Sequence, residues 1–277
     1  MITEFLKHKQ QVEGCANGTI IEYEKNLRAF AAWVNENHPG TGWSTLTTNI
    51  MNEHVAQMTS DGLKPRTIKL RVSSVRSLLN WLCAQGKMKT NPLRYQQTPK
   101  PGTQLPKIAD VDAVAKFVNA ETISPITMEI QALVALLAET GIRIGEAINI
   151  HTQDVNKKEQ SITIHGKGNK ERIVYYGEMT KTKVNALAKV KNVKYIIFSR
   201  TPEDYRALMS REMKPYINYI HPHMLRHTYA TTMLNNGASL SAIAANLGHE
   251  STRMSERYAH LAESAAKQAG TQLALRL

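Results

Sequence analysis

The chain has 277 residues, enough for one large or two medium domains with separate cores. Its 35 Lys and Arg against 23 Asp and Glu leave a net charge of +12, which argues for a polyanionic partner, nucleic acid being the commonest. Two distant cysteines, Cys15 and Cys83, exclude a disulfide framework and read as reduced thiols of a cytosolic protein, while the longest apolar run, Ala132 to Ala138, is too short to span a bilayer and Met1 to Gln10 holds no secretory signal.

Residues 2–93 read as a small helical domain. Thr19 is the expected cap of a helix to about Asn37, with Ile20, Tyr23, Leu27, Phe30, Ala31 and Val34 at helical spacing. A second helix fits Thr48 to Thr59, closed by Ser60-Asp61-Gly62. Pro65 suits the first turn of a third, from Arg66 to about Gln85. On it, Ile68, Val72, Val75, Leu79 and Leu82 form an apolar stripe, and Arg66, Lys69, Ser73, Arg76 and Asn80 fall together on another arc. From Gly62 to Ala109 there are ten Lys or Arg and no acid. That face is either solvated or tracks phosphates, and the missing acids favour phosphates, with Ser73 and Asn80 placed to reach backbone or base edges.

Asn91-Pro92 ends this domain, and residues 94–107, with Pro99, Pro101, Gly102 and Pro106, read as an extended basic tether. The C-terminal domain, 108–277, opens with a helix from about Ile108 to Asn119. A strongly apolar helix from Thr127 to Glu139 is its core, broken by Thr140-Gly141. Arg143 then starts another helix between Ile142 and Ile144, with Glu146 one turn on and placed to orient the guanidinium. Such an arginine is either half of a structural ion pair or a held anion ligand.

Ser161 to Ile164 and Arg172 to Tyr175 alternate in polarity around Gly166-Lys167-Gly168-Asn169-Lys170, the pattern of a β-hairpin presenting Lys167. This is no phosphate loop, because the full spacing and the Lys-Ser/Thr ending are absent. Lys194 to Phe198 reads as a buried strand or helix end, and Thr201 to Tyr219 as a basic helix interrupted by Pro215. A helix from Pro222 to about Asn235 carries His223 and Arg226 on one face, and a shorter one from Ser239 ends at Leu247-Gly248-His249. Tyr258 follows in a polar segment, and 262–277 forms a final amphipathic helix. Histidines 221, 223, 227, 249 and 260 match no zinc spacing, and no acidic cluster suits two-metal phosphoryl transfer, so no metal is expected.

Thr140-Gly141-Ile142-Arg143-Ile144-Gly145-Glu146, the Gly166-Lys167-Gly168 hairpin, His223-Met224-Leu225-Arg226-His227-Thr228, Leu247-Gly248-His249 and Tyr258 occur in that order. Together they resemble the tyrosine recombinase (phage integrase) family, over about 108–277, and the helical region before them resembles its SAM-like core-binding domain. The resemblance implies a mainly α fold with a small β-hairpin or sheet: an N-terminal helical bundle and an α+β catalytic domain that breaks and rejoins DNA. Tyr258 resembles the nucleophile that forms a 3′-phosphotyrosyl link, and Arg143 and Arg226 the pair that clamps the non-bridging oxygens. Lys167 is similar to the lysine that protonates the leaving 5′-oxygen, His223 to the acid/base histidine, His249 to the second phosphate-binding histidine, and Glu146 to the accessory carboxylate. His221 and His227 then read as structural.

The chemistry is coherent: fixed guanidinium cations answer the charge of a pentacoordinate phosphorane, and a covalent phosphotyrosine conserves the phosphodiester energy, so no cofactor is needed. The resemblance further implies a clamp on double-stranded DNA and a homotetramer on two synapsed sites joined through a Holliday junction, with helix 262–277 exchanged between protomers. An accessory directionality factor is a further candidate partner, no membrane is involved, and the enzyme would sit in the cytoplasm with the nucleoid. The segment between hairpin and His223 is short for the family, and nothing before residue 2 suggests an arm-binding domain, which favours a compact Xer-like or simple integrase architecture. The rival readings are a type IB topoisomerase-like nicking and rejoining enzyme and a non-catalytic DNA-binding regulator.

Overall fold

A computed structural model describes residues 1–100, 102, 107–166, 170–192 and 198–248. The chain divides into two compact units, Met1–Thr103 and Gln104–Leu277. Among the described residues no helix is long and apolar enough to cross a membrane.

The first unit is a bundle of four helices, α1 (Ile2–Gln11), α2 (Asn17–Asn37), α3 (Thr48–Ser60) and α4 (Pro65–Ala84). Its core is Phe5, Leu27, Phe30, Met51, Met58 and the apolar stripe of α4, every member of which is buried. Phe5 also meets Tyr23 edge to face, with ring centroids 5.5 Å apart. The expected cap of α2 is displaced: Ala16 holds the N-cap, and Thr19 already donates its backbone N–H to the Ala16 carbonyl within the first turn. In α3 the cap is Thr47, whose hydroxyl accepts from the Ile50 N–H. The unit also extends past the expected boundary at residue 93. Leu93 is fully buried, and the Arg76 guanidinium donates to the carbonyls of Leu93 (2.9 Å) and Gln96 (2.7 Å), folding the start of the expected tether back onto α4.

The second unit is built around α6 (Pro125–Thr140), preceded by α5 (Val111–Asn119). Asp110 and Ser124 cap these helices through their side-chain oxygens. Ile130, Leu133, Val134 and Leu137 of α6 are wholly buried, since neighbours cover the helix on every side. Then come α7 (Ile144–Ala147), β1 (Val155–Asn156), β2 (Ser161–His165), β3 (Glu171–Tyr175), α8 (Glu178–Val190), α9 (Pro202–Met213), α10 (Pro222–Asn235) and α11 (Leu240–Leu247). The strands form one antiparallel sheet in the order β1-β2-β3, so the expected hairpin gains a short third strand. Its register pairs Ile162 with Val174 and Ile164 with Arg172, which puts Arg172 and Val174 on the inward face and leaves Ile173 and Tyr175 exposed.

Helix α8 has no counterpart among the sequence expectations. Its N-cap is Gly177, without a capping side chain, and the cap comes from α6 instead: Glu139 Oε2 accepts from the N–H groups of Gly177 (2.9 Å) and Thr180 (3.0 Å). The expected helix from Thr201 to Tyr219 ends at Met213, just before Pro215. Most of the segment from Lys194 to Phe198, like the expected helix over 262–277, lies outside the described residues; Phe198 itself is buried.

Candidate active site

Arg143 and Arg226 are positioned by the ends of four helices, α6, α7, α10 and α11. Gly141 ends α6 in the left-handed conformation at φ +64°, which turns the chain sharply enough for Arg143 to become the N-cap of α7. Glu146 closes that turn by reaching back: its Oε2 accepts from the Arg143 N–H and its Oε1 from Arg143 Nη1, both at 2.8 Å. The ion-pair alternative for Arg143 is thus present in the structure, with Glu146 as the partner and the arginine side chain still 39% exposed.

Arg226 lies in the first turns of α10, which begins at Pro222. It is only 4% exposed and donates Nη1 to the Gly141 carbonyl (2.8 Å) and Nη2 to the Leu247 carbonyl at the end of α11 (2.6 Å). Two helix C-termini thus supply the partial negative charge that holds a buried guanidinium. His223, one turn earlier on the same helix, is exposed. Desolvation of the ring on its protein-facing side lowers its pKa, helped by the positive charges of His221, Arg226, Arg143 and Arg206, so the imidazole is neutral at neutral pH. Both arginines and the histidine thus share one electrostatic neighbourhood.

More cationic groups border this neighbourhood. Burial also depresses the His221 pKa, with the Lys107 and Arg206 charges adding to it. Lys107 Nζ stands 5.6 Å from the centre of the Tyr219 ring, which in turn meets His221. The carboxylate paired with Arg143 is Glu146, whose side chain is 10% exposed. Burial alone would push its carboxyl upward; bonds from Arg172 and from the Arg143 backbone and side chain outweigh it and hold the pKa below the usual carboxylate range.

Arg172 is the group that sequence reasoning missed. From β3 it donates Nη2 and Nη1 to the two Glu146 oxygens (2.7 and 3.2 Å) and Nε to the Asn246 carbonyl (2.8 Å). Its only signal in the sequence is a cation on an alternating strand, and alternation does not say which face is inward.

Of the other expected site residues, Lys167, His249 and Tyr258 lie outside the described residues. What precedes them is described. Strands β2 and β3 are tied next to the hairpin turn by Gly166 N–H donating to the Lys170 carbonyl (2.7 Å), and Gly248 closes α11 in the left-handed conformation. In the first unit, Arg66, Lys69 and Ser73 are exposed on α4 as their arc requires. Arg76 is half-buried and turned to backbone carbonyls, and the exposed Asn80 accepts from the Asn91 amide at 2.7 Å.

Comparison with known proteins places both units. The family described as "Phage integrase family" matches residues 107–265, and "Phage integrase, N-terminal SAM-like domain" matches residues 2–86. The chain is 28% identical over 259 residues to "Tyrosine recombinase XerC" of Histophilus somni (strain 2336), covering 88% of this chain and 86% of the relative. It is 29% identical over 278 residues to "Tyrosine recombinase XerD" of Listeria innocua serovar 6a, covering 94% of each. Its fold is similar to that of the XerH site-specific recombinase, crystallised bound to palindromic difH substrate as a post-cleavage complex, with a TM-score of 0.75 at 18% identity over 98% of this chain and 84% of that one.

Proposed function

The chain belongs to the phage integrase family, as a tyrosine recombinase catalysing site-specific DNA recombination, and we propose that Arg143, Arg226, His223, Lys167, His249 and Tyr258 carry out its strand transfer. The observation that carries the reading is the arrangement of Arg143 and Arg226. One guanidinium is held by Glu146 and the other by two helix-end carbonyls, and both charges act on a single neutral imidazole.

A duplex DNA phosphate bound there places its non-bridging oxygens against the two guanidinium groups, where fixed N–H donors meet the charge that builds in the transition state. The Tyr258 phenol attacks phosphorus as His223 takes its proton. The bond to the 5′-oxygen breaks, that oxygen takes a proton from Lys167, and a 3′-phosphotyrosyl link forms. His249 donates to the same phosphate. Attack by the 5′-hydroxyl of another strand reverses these steps and rejoins DNA. Exchange between two duplexes cuts four strands with one Tyr258 per chain, so the acting assembly is a homotetramer on synapsed sites. Arg66, Lys69 and Ser73 on the exposed arc of α4 meet the flanking backbone. The enzyme works where its DNA is, in the cytoplasm.

The test is covalent capture. Nicked duplexes from a random library are incubated with the protein, and those linked to it are recovered and sequenced. Wild-type protein is expected to enrich one sequence class as a covalent adduct, and Tyr258→Phe to bind the same duplexes without linking. An adduct at wild-type level in Tyr258→Phe removes the nucleophile assignment.

A further inference from the structure

Arg172 takes no part in the chemistry above, yet it joins the supports of both guanidinium groups. Glu146 is the shared element. Its Oε1 accepts from Arg143 Nη1 and Arg172 Nη1, and its Oε2 from the Arg143 N–H and Arg172 Nη2, so four bonds set the plane of the carboxylate. The third donor of Arg172, Nε, holds the Asn246 carbonyl, and the next carbonyl along the chain, that of Leu247, accepts from Arg226 Nη2. A continuous path therefore runs Arg143–Glu146–Arg172–Asn246–Leu247–Arg226. The Arg172 side chain is 13% exposed where that of Arg143 is 39% exposed, and three of its five N–H groups are committed. It is placed to hold other groups and is poorly placed to bind a ligand itself.

We propose that Arg172 is a positioning residue for phosphate recognition: it fixes the carboxylate that aims Arg143 and the helix end that aims Arg226. The proposal rests on the reading that those two arginines hold the scissile phosphate. The physical reason is competition for Glu146. With Arg172 present, each oxygen of Glu146 is shared, and Arg143 engages it through a single Nη. Without Arg172, a carboxylate with two vacant acceptor positions draws the Arg143 guanidinium into a bidentate pair and away from the phosphate. At the same time the Asn246 carbonyl loses its donor, and the end of α11 shifts against Arg226. A lysine does not replace this arginine, because one ammonium cannot span two carboxylate oxygens and a carbonyl.

The experiment measures single-turnover adduct formation on the nicked duplex recovered by covalent capture, and on the same duplex carrying a methylphosphonate at the scissile position. The methyl group replaces one charged non-bridging oxygen, so a defect in aiming the guanidinium groups matters less on that substrate. Arg172→Lys is expected to slow adduct formation on the phosphate about 100-fold, the usual cost of an ångström-scale misplacement, with duplex binding retained. On the methylphosphonate its deficit is expected to shrink in parallel with that of Arg143→Lys, and the double variant to be no slower on the phosphate than the slower single variant. A loss of folded protein lowers both substrates by the same factor, so an equal deficit on the two overturns the proposal, as does a wild-type rate or a loss that multiplies with that of Arg143→Lys. If Arg143→Lys alone reacts at the wild-type rate on the phosphate, the phosphate-clamp reading itself falls, and that outcome is seen without any change at Arg172.

Discussion

Gly141→Ala tests how closely the site depends on one left-handed turn. Gly141 has φ +64°, and a Cβ built there runs into the Tyr229 ring of α10 and comes within 2.9 Å of Leu247 Cδ2 on α11. Left-handed backbone costs an L-residue about 1–2 kcal/mol. Forcing a methyl into a filled space adds about 1–3 kcal/mol. The expected loss is thus about 2–5 kcal/mol, a large share of the roughly 5–15 kcal/mol typical of a folded protein. Gly237→Ala separates the two contributions, because Gly237 at φ +85° is equally left-handed but has nothing within 4 Å of the added Cβ. Urea unfolding followed by far-ultraviolet circular dichroism should give Gly141→Ala a midpoint lower than that of Gly237→Ala by about 1–3 kcal/mol of stability at unchanged slope. Adduct formation should also fall more than in Gly237→Ala at a temperature where both are folded, since the Gly141 carbonyl is an acceptor for Arg226 and Tyr229 lies one turn from it. Equal midpoints for the two alanine variants would refute the packing argument, and equal adduct rates would detach the turn from the site.

Other consequences follow from protonation and charge. His54 is 8% exposed, with its ring 4.5 Å from that of Trp33, and burial with the Arg71 charge lowers its pKa from 6.5 to about 4. Its neutral form suits the fold, so stability is full above pH 6.5 and falls as pH drops from 6.5 to about 4, by about 3 kcal/mol in all. Trp33, Trp43 and Trp81 are the chain's only tryptophans and all lie in the first unit, so their fluorescence in urea should show His54→Phe losing this acid sensitivity; parallel pH profiles for the two proteins would remove the assignment. His223 is expected to set an acidic limb in the adduct-formation rate with its midpoint below the ordinary imidazole value, and Arg206→Ala to move that midpoint upward by removing one of the charges that depress it. On α4, Lys69→Ala should lower the salt dependence of duplex binding by roughly one unit of log–log slope. Arg76→Ala should instead lower stability, because its guanidinium is spent on the Leu93 and Gln96 carbonyls; a matching change in salt slope for Arg76→Ala would place that residue on the DNA.

Local patterns carried what the sequence determined alone. The stripe of α4, the all-round apolar α6, the glycine breaks at Gly141 and Gly248 and the alternation of β2 and β3 each arise from residues within a turn or two of one another. The pairing of Arg143 with Glu146 was legible for the same reason, since three residues on a helix start share one face. Partners distant in the chain were decided only by tertiary structure. The cap of α8 comes from Glu139, on another helix, so the segment after Gly177 carried no start signal of its own. Arg76 lies on the expected arc of α4 yet turns to carbonyls beyond Pro92, because a long guanidinium goes to the acceptors that the returning chain brings near. Arg172 shows the limit most clearly. Alternation in β3 is satisfied with either face inward, and only the register pairing Ile164 with Arg172 turns that cation toward Glu146 and the end of α11.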